Sequence, residues 1–235
     1  HLLLDGWSTG VLLNELFQAY SSLRRGTQPK FPPVRPYRDY IKWLLERNHS
    51  EAEAFWRKRL EGFSAPTPLK FCRALQSDER DYARYRFFLP EEFTFTLNEF
   101  ARKNQITLNT LAQSAWALLL SRYCGAKDVL FGGIVSGRPG ELNGVESMVG
   151  LFVNTLPVRV RVPDKQAVIE WLKEVQEEQS WLRQYEHTRL VDVRGWSDIP
   201  RNVPLFESAI GFQNYPIRLD ESVSDCADGV RMRNL

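Results

Sequence analysis

Cysteine is scarce in this chain: Cys72, Cys124 and Cys226 are an odd count at wide spacing in 235 residues. That excludes a disulfide framework and a clustered metal site, and it makes a reducing compartment the simplest setting. Histidine is equally rare, and His1, His49 and His187 lie too far apart to form a local zinc motif. His49, which follows LLERN, reads as a solvated residue on a charged face. No run approaches the roughly eighteen apolar residues of a membrane-spanning helix, and no basic-then-apolar leader precedes a cleavage site. A dominant charge is missing too, since 31 Lys and Arg against 29 Asp and Glu leave a net charge of +2. That balance favours neither nucleic acid nor an anionic membrane as a partner. The basic spots LRR at 23–25 and RVRV at 159–162 read as solvated faces. Repeats and low-complexity tracts are absent.

What the chain does have is material for a core. Hydrophobic residues make up 43%, with 14 Phe, 8 Tyr and 7 Trp, so one large domain or two smaller lobes can be built. Leu12, Leu16, Tyr20 and Leu23 fall at helical spacing after the opening turn, and PKFPPVRP at 29–36 must be an extended connector because its prolines forbid a helix. YRDYIKWLLERN and EAEAFWRKRLEG then give helical stretches broken near His49 and Ser50. Residues 62–81 lack a sustained period and hold two prolines, which makes them the expected interlobe linker between a part at 1–61 and a second lobe at 82–235.

The second part alternates element types. YARYRFFL at 82–89 reads as a strand, and a helix with Phe93, Leu97, Phe100 and Ala101 follows. Thr107 caps a strongly apolar helix that Gly125 closes. An apolar strand at 129–135 leads into a Gly-rich loop at 136–147, and Val158, Val160 and Val162 alternate with Arg159 and Arg161 in a further extended stretch. Residues 165–186 return to helix, and FESAIGFQNY at 206–215 reads as another core strand. The expected class is α/β (α+β), a mixed sheet covered by helices.

The stretch HLLLDGWS carries the chemistry. His1 and Asp5 are separated by three leucines, and Gly6 permits a bend that a Cβ would resist. Asp5 also precedes a helix start, where a carboxylate is favoured, so helix-start acid and trailing strand histidine form a structural alternative for the pair. Ser8 reads as a helix cap, because no base and orienting acid can be assigned to it as a nucleophile. Asn154, polar inside an apolar strand, must find hydrogen-bond partners. His187, at a helix end, reads as structural.

HLLLDGWS resembles the second histidine onward of the HHxxxDG signature of condensation domains in non-ribosomal peptide synthetases, relatives of chloramphenicol acetyltransferase. YRDYIKWL at 37–44 resembles the YxDYxxW element of that family, SGRP at 136–139 its Gly-rich loop, and MVGLFVNTLPVR at 148–159 its VGxFVNTxPxR element. YEHTRL at 185–190 and RNVPLFESAIGFQNYP at 201–216 resemble its last stretches, all in the family's order.

The resemblance implies a chloramphenicol acetyltransferase-like two-lobe sandwich, of which this chain would carry an incomplete first lobe and most of the second. It implies amide formation between an upstream acyl or peptidyl thioester and the amine of a downstream aminoacyl thioester. Both substrates ride on phosphopantetheine arms of partner carrier proteins, so no cofactor is expected on the domain itself, and no metal. Upstream and downstream carrier proteins and a neighbouring adenylation domain are the implied partners, in the cytoplasm. His1 matches the family's tunnel histidine, and Asp5 its supporting acid, with Gly6 in the turn and Arg138 of SGRP as the salt-bridge partner. Trp7 and Asn154 are the tunnel candidates. The first motif histidine is not in the chain, so 1–235 reads as a fragment expected to be inactive alone. A non-catalytic docking platform and a free-standing acyltransferase are the rival readings.

Overall fold

The computed structural model describes residues 3–69 and 83–213, and His1 lies outside them. The chain divides into two compact units, one built from the described parts of 1–47, 136–153 and 213–235, the other from those of 48–135 and 154–212.

In the first unit, helix α1 (Gly6–Arg24) starts where the Asp5 side chain accepts the Ser8 amide at 2.8 Å. Helix α2 (Tyr37–Leu45) begins after Pro36, at the end of the extended proline-rich connector. A small core gathers Tyr40 from α2 with Leu142, Val145, Met148 and Phe152 from the 136–153 segment, which contains one 3-10 turn at Val145–Ser147. The Phe152 ring meets Tyr37 edge-on at 5.0 Å and Tyr40 at 4.5 Å, contacts that add to simple area burial. The expected apolar stripe of α1 is there, but it does not face a core. Leu12, Leu16, Tyr20 and Leu23 are exposed, while Ser8, Gly10 and Ser21 are buried. Among the described residues of this unit, no element covers the stripe.

The second unit holds a three-stranded sheet in the order β2-β1-β3. Strand β1 (Asp128–Val135) runs antiparallel to β2 (Asn154–Arg161) and parallel to the short β3 (Ala209–Gly211). Among the described residues five helices accompany it: α3 (His49–Leu60), α4 (Glu91–Asn104), α5 (Leu108–Cys124), α6 (Val168–Arg183) and α7 (Leu190–Trp196). The Thr107 hydroxyl caps α5 by accepting the Thr110 amide at 3.0 Å. Val129, Leu130 and Phe131 of β1, Leu156 of β2, Leu120 of α5 and Trp56 of α3 are essentially inaccessible at the centre.

Three expectations are corrected. Helix α3 brings Ala52, Trp56 and Leu60, a stripe at fourfold spacing, into the core of the second unit, so it groups with 154–212 and not with residues 1–47. Residues 83–90 form no strand, and Tyr85, Phe87 and Phe88 are exposed; β propensity makes a strand only where an edge offers hydrogen bonds. Of the expected strand at 206–215, the described residues form only Ala209–Gly211, paired with Gly132, Gly133 and Ile134 of β1, and 214–215 lie outside the described residues. The linker at 62–81 lies only in part among the described residues.

Among the described residues β2 is one of the two edges of the sheet, and two side chains cover it. Arg59 donates from Nη2 to the Arg159 carbonyl at 2.9 Å, and the Trp171 indole donates to the Arg161 carbonyl at 2.8 Å. Pro157, on the same side of the strand, has no amide hydrogen to offer, a usual device on edges.

Candidate functional site

The turn before α1 is held by one buried ion pair. Arg138 Nη2 lies 3.3 Å from Asp5 Oδ1, and the two side chains are only 4% and 5% exposed. Asp5 is the N-cap, with extended backbone, so its Oδ1 also accepts the Ser8 amide while its Oδ2 accepts the Phe152 amide at 3.1 Å. Arg138 donates from Nη1 to the carbonyls of Val145 and Met148 and lies over the Phe152 ring, 3.9 Å from its centroid. Four of its five donors are occupied, and the fifth, on Nε, is buried without a hydrogen-bond partner among the described residues.

The electrostatics follow from that geometry. Burial pushes the Asp5 carboxyl up, but the Ser8 amide, the Phe152 amide and the Arg138 guanidinium outweigh it and hold the group below its ordinary value. Burial lowers the Arg138 pKa against the opposing pull of Asp5. Asp5 is thereby an ionised acceptor with filled coordination, suited to holding a turn and not to carrying protons.

The rest of the turn is fixed to the 144–152 segment. The Trp7 indole donates to the Glu146 carbonyl at 2.8 Å, and Arg138 lies 5.5 Å from its ring centroid. Tyr37 donates its hydroxyl to the Leu151 carbonyl at 2.5 Å. Burial, then the Asp5 carboxylate, raise the Tyr37 pKa, so the hydroxyl keeps the proton it donates. A Cβ at Gly150 would sit 2.1 Å from the Tyr37 ring, and one at Gly137, whose φ is +64°, would sit 1.9 Å from the Phe152 carbonyl oxygen. At Gly137 the obstacle is backbone and glycine is required, whereas at Gly150 a Cβ fits only if the Tyr37 ring moves.

The structure therefore brings together Asp5, Gly6, Trp7 and Arg138 in the first unit. Asn154 belongs to the second unit. Its amide nitrogen donates to the carbonyls of Glu186 and Thr188 at 3.0 and 2.7 Å, clasping the connection between α6 and α7. Ser8 is not the cap the sequence suggests. Asp5 takes that place, and the Ser8 hydroxyl instead reaches Gly150, a contact across 142 positions that no local pattern announces. Sequence reasoning misses Tyr37, Gly150 and Phe152 as site residues, although each stands in one of the family-like elements at 37–44 and 148–159. A groove of about 550 Å³ in the second unit is lined by Phe55, Arg59, Arg159, Arg161, Trp171 and Trp181 among others, and none of the described candidate site residues lines it. Among the described residues no helix is long and apolar enough to cross a membrane.

The family model described as Condensation domain matches residues 1–230. A subunit of the linear gramicidin synthase of Brevibacillus parabrevis is 49% identical over 220 residues, which are 92% of this chain and 4% of that protein. Surfactin synthase subunit 3 of Bacillus subtilis is 36% identical over 232 residues, 99% of this chain and 18% of that protein. Among solved structures, the first condensation domain of the CDA synthetase superposes with a TM-score of 0.74 at 21% identity, covering 93% of this chain and 48% of that one. The starter condensation domain of rhizomide synthetase RzmA gives 0.68 at 20% identity, covering 90% and 48%. The chain thus spans about half the length of these solved domains and a small share of the synthases. The shared fold is the mixed α/β, chloramphenicol acetyltransferase-like one.

Proposed function

This chain belongs to the condensation domain family, and from that premise we propose that it is part of an enzyme forming amide bonds in non-ribosomal peptide synthesis. The donor is an acyl or peptidyl thioester and the acceptor is the amine of an aminoacyl thioester, each on the phosphopantetheine arm of a carrier protein. The observation that supports this most directly is the buried Asp5–Arg138 pair, which ties the DG turn of the motif to the 145–152 segment. Both halves of that contact stand in family elements. The rhizomide relative is described in complex with C8-CoA and Leu-SNAC, an acyl thioester and an aminoacyl thioester, the same pairing of chemistries.

In this reading His1 is the catalytic residue. A reference α-amino pKa of about 7.7–8.0 leaves roughly a tenth of the acceptor amine neutral near pH 7, so prior deprotonation costs only about 1 kcal/mol. After attack the nitrogen is cationic and acidic, and an imidazole near its reference value of about 6.5 accepts or hydrogen-bonds that proton. Orientation of two tethered substrates supplies much of the remaining acceleration. Asp5, Gly6 and Arg138 support the turn, with Trp7 and Asn154 as candidate tunnel residues.

The test is a condensation assay with two loaded carriers, on a full-length condensation domain carrying this chain, comparing wild type with His1→Ala. The expected result is amide product from wild type and a large loss in the variant. Undiminished product from the variant removes the catalytic assignment, and product from neither favours a docking platform.

A further inference from the structure

Resting on the condensation reading, we propose that Ser8 is a positioning residue of this site, its hydroxyl holding the Gly150 backbone and the Arg138 guanidinium in register with the motif turn. Ser8 is fully buried. A hydroxyl has one donor and two acceptor lone pairs, and here all three are engaged. Ser8 Oγ donates to the Gly150 carbonyl at 2.8 Å and accepts from the Gly150 amide at 3.1 Å and from Arg138 Nη2 at 3.0 Å. Its own backbone amide donates to Asp5 Oδ1. One residue therefore touches the acid, the cation and the distant segment that Asp5 also holds through the Phe152 amide.

The arrangement resembles a rung of sheet made with side chains. Asp5 donates its amide to the Gly150 carbonyl at 3.4 Å, and three residues later the Ser8 hydroxyl returns to both polar groups of the same Gly150. Ser8 sits in the first turn of a helix, so its reach is set by a rigid element. The hydroxyl proton is directed at a carbonyl and not at a base, which fits positioning and not nucleophilic attack. Removing the hydroxyl leaves the buried Gly150 amide without the acceptor it uses and takes one contact from Arg138. The aromatic and aliphatic core around Tyr40, Met148 and Phe152 stays intact. The turn would loosen while the unit stays folded, and displacements far below the size of a residue cost rate before they cost substrate binding.

The experiment uses a full-length condensation domain carrying this chain and compares wild type, Ser8→Ala and Ser8→Thr, with Thr9→Ala as the neighbouring control. Steady-state condensation with loaded carriers is read alongside hydrogen exchange at the Gly150 and Phe152 amides. Ser8→Ala is expected to lower kcat about tenfold or more while KM for the aminoacyl carrier stays within about twofold, and to speed exchange at Gly150. Ser8→Thr, which keeps the hydroxyl, is expected to restore both, and Thr9→Ala, whose lost hydroxyl reaches the Asp5 carbonyl and not Gly150, to leave exchange at Gly150 unchanged. Should the alanine variant not fold, Ser8→Cys, which keeps the shape of the side chain with a somewhat larger atom and weakens each hydrogen bond, is held to the same expectations. Wild-type kcat in Ser8→Ala, a KM that rises as far as kcat falls, or a threonine variant no better than alanine overturns the proposal. Failure of wild type to make amide overturns the condensation reading instead, and the exchange rates still decide whether Ser8 holds Gly150.

Discussion

Asp5 Oδ2 accepts the backbone amide of Phe152 at 3.1 Å, and the Arg138 guanidinium that neutralises Asp5 lies over the Phe152 ring. One aromatic residue thus supplies an amide to the acid and a π face to the cation. Both charges are removed from water, so deleting either leaves its partner uncompensated. Arg138→Ala is expected to cost about 3–5 kcal/mol of stability, the range for breaking a buried pair. Arg138→Lys is expected to recover little of it, since a lysine cannot reproduce the fork that reaches Asp5, Ser8, Val145 and Met148 together. Chemical denaturation of a full-length domain measures both, and an Arg138→Ala variant of wild-type stability would show the pair to be dispensable.

The depressed carboxyl of Asp5 carries a pH dependence. A group whose folded value lies below its unfolded one, about 3.9 for Asp, stabilises the fold above that unfolded value. The contribution is lost as pH falls through the folded value. Wild type should therefore lose stability on acidification below about pH 4 more steeply than Asp5→Asn. Denaturation midpoints from pH 6 to pH 2 check this, and parallel acid limbs for the two proteins would count against the assignment.

Much of this was legible because local chemistry decides it. Thr107 capping α5, the apolar run that becomes β1 and the alternation along β2 each depend on neighbours in sequence. The Asp5–Arg138 contact itself spans 133 positions, and composition and periodicity give no hint of it; only the family's order of motifs put the two residues together. The role of Ser8 differs from its local pattern for a physical reason. At a helix start both Asp5 and Ser8 are good caps, and only the tertiary contact with Gly150 separates their roles. YARYRFFL read as a strand because its residues fit a pleated surface, yet that propensity reports packing and not an available edge.

Two glycines of the site should respond differently to a methyl group. At Gly150 the obstacle is the Tyr37 ring, 2.1 Å from the added Cβ. Gly150→Ala is expected to cost about 1–3 kcal/mol, and Tyr37→Ala in the same protein to relieve the clash, so the double variant is more stable than the sum of the singles implies. At Gly137 the obstacle is the Phe152 carbonyl, and the backbone is already left-handed. Trimming side chains cannot help there, and Gly137→Ala is expected to be the more damaging substitution, with no rescue by Tyr37→Ala. A double-mutant cycle by thermal or urea unfolding decides it.

The β2 edge gives the last prediction. Arg59 and Trp171 occupy the carbonyls of Arg159 and Arg161, two acceptors on one side of the strand that a further strand would otherwise use. Arg59 is held there despite the cost of burial, which with its neighbours Arg159 and Arg161 lowers its pKa to about 10. The reciprocal bond from Arg159 Nη1 to the Arg59 carbonyl at 3.0 Å fastens α3 to the same edge. Trp171→Phe keeps the aromatic bulk and removes only the indole donor, so the expected stability loss is about 1 kcal/mol, the net worth of one hydrogen bond. Combined with Arg59→Met it opens both carbonyls. The pair of substitutions is therefore expected to raise self-association more than either alone, because exposed edge acceptors template pairing with a second chain. Sedimentation velocity over a range of concentrations reads the effect, and a double variant as monodisperse as wild type would mean that Pro157 and the surrounding helices protect the edge without them.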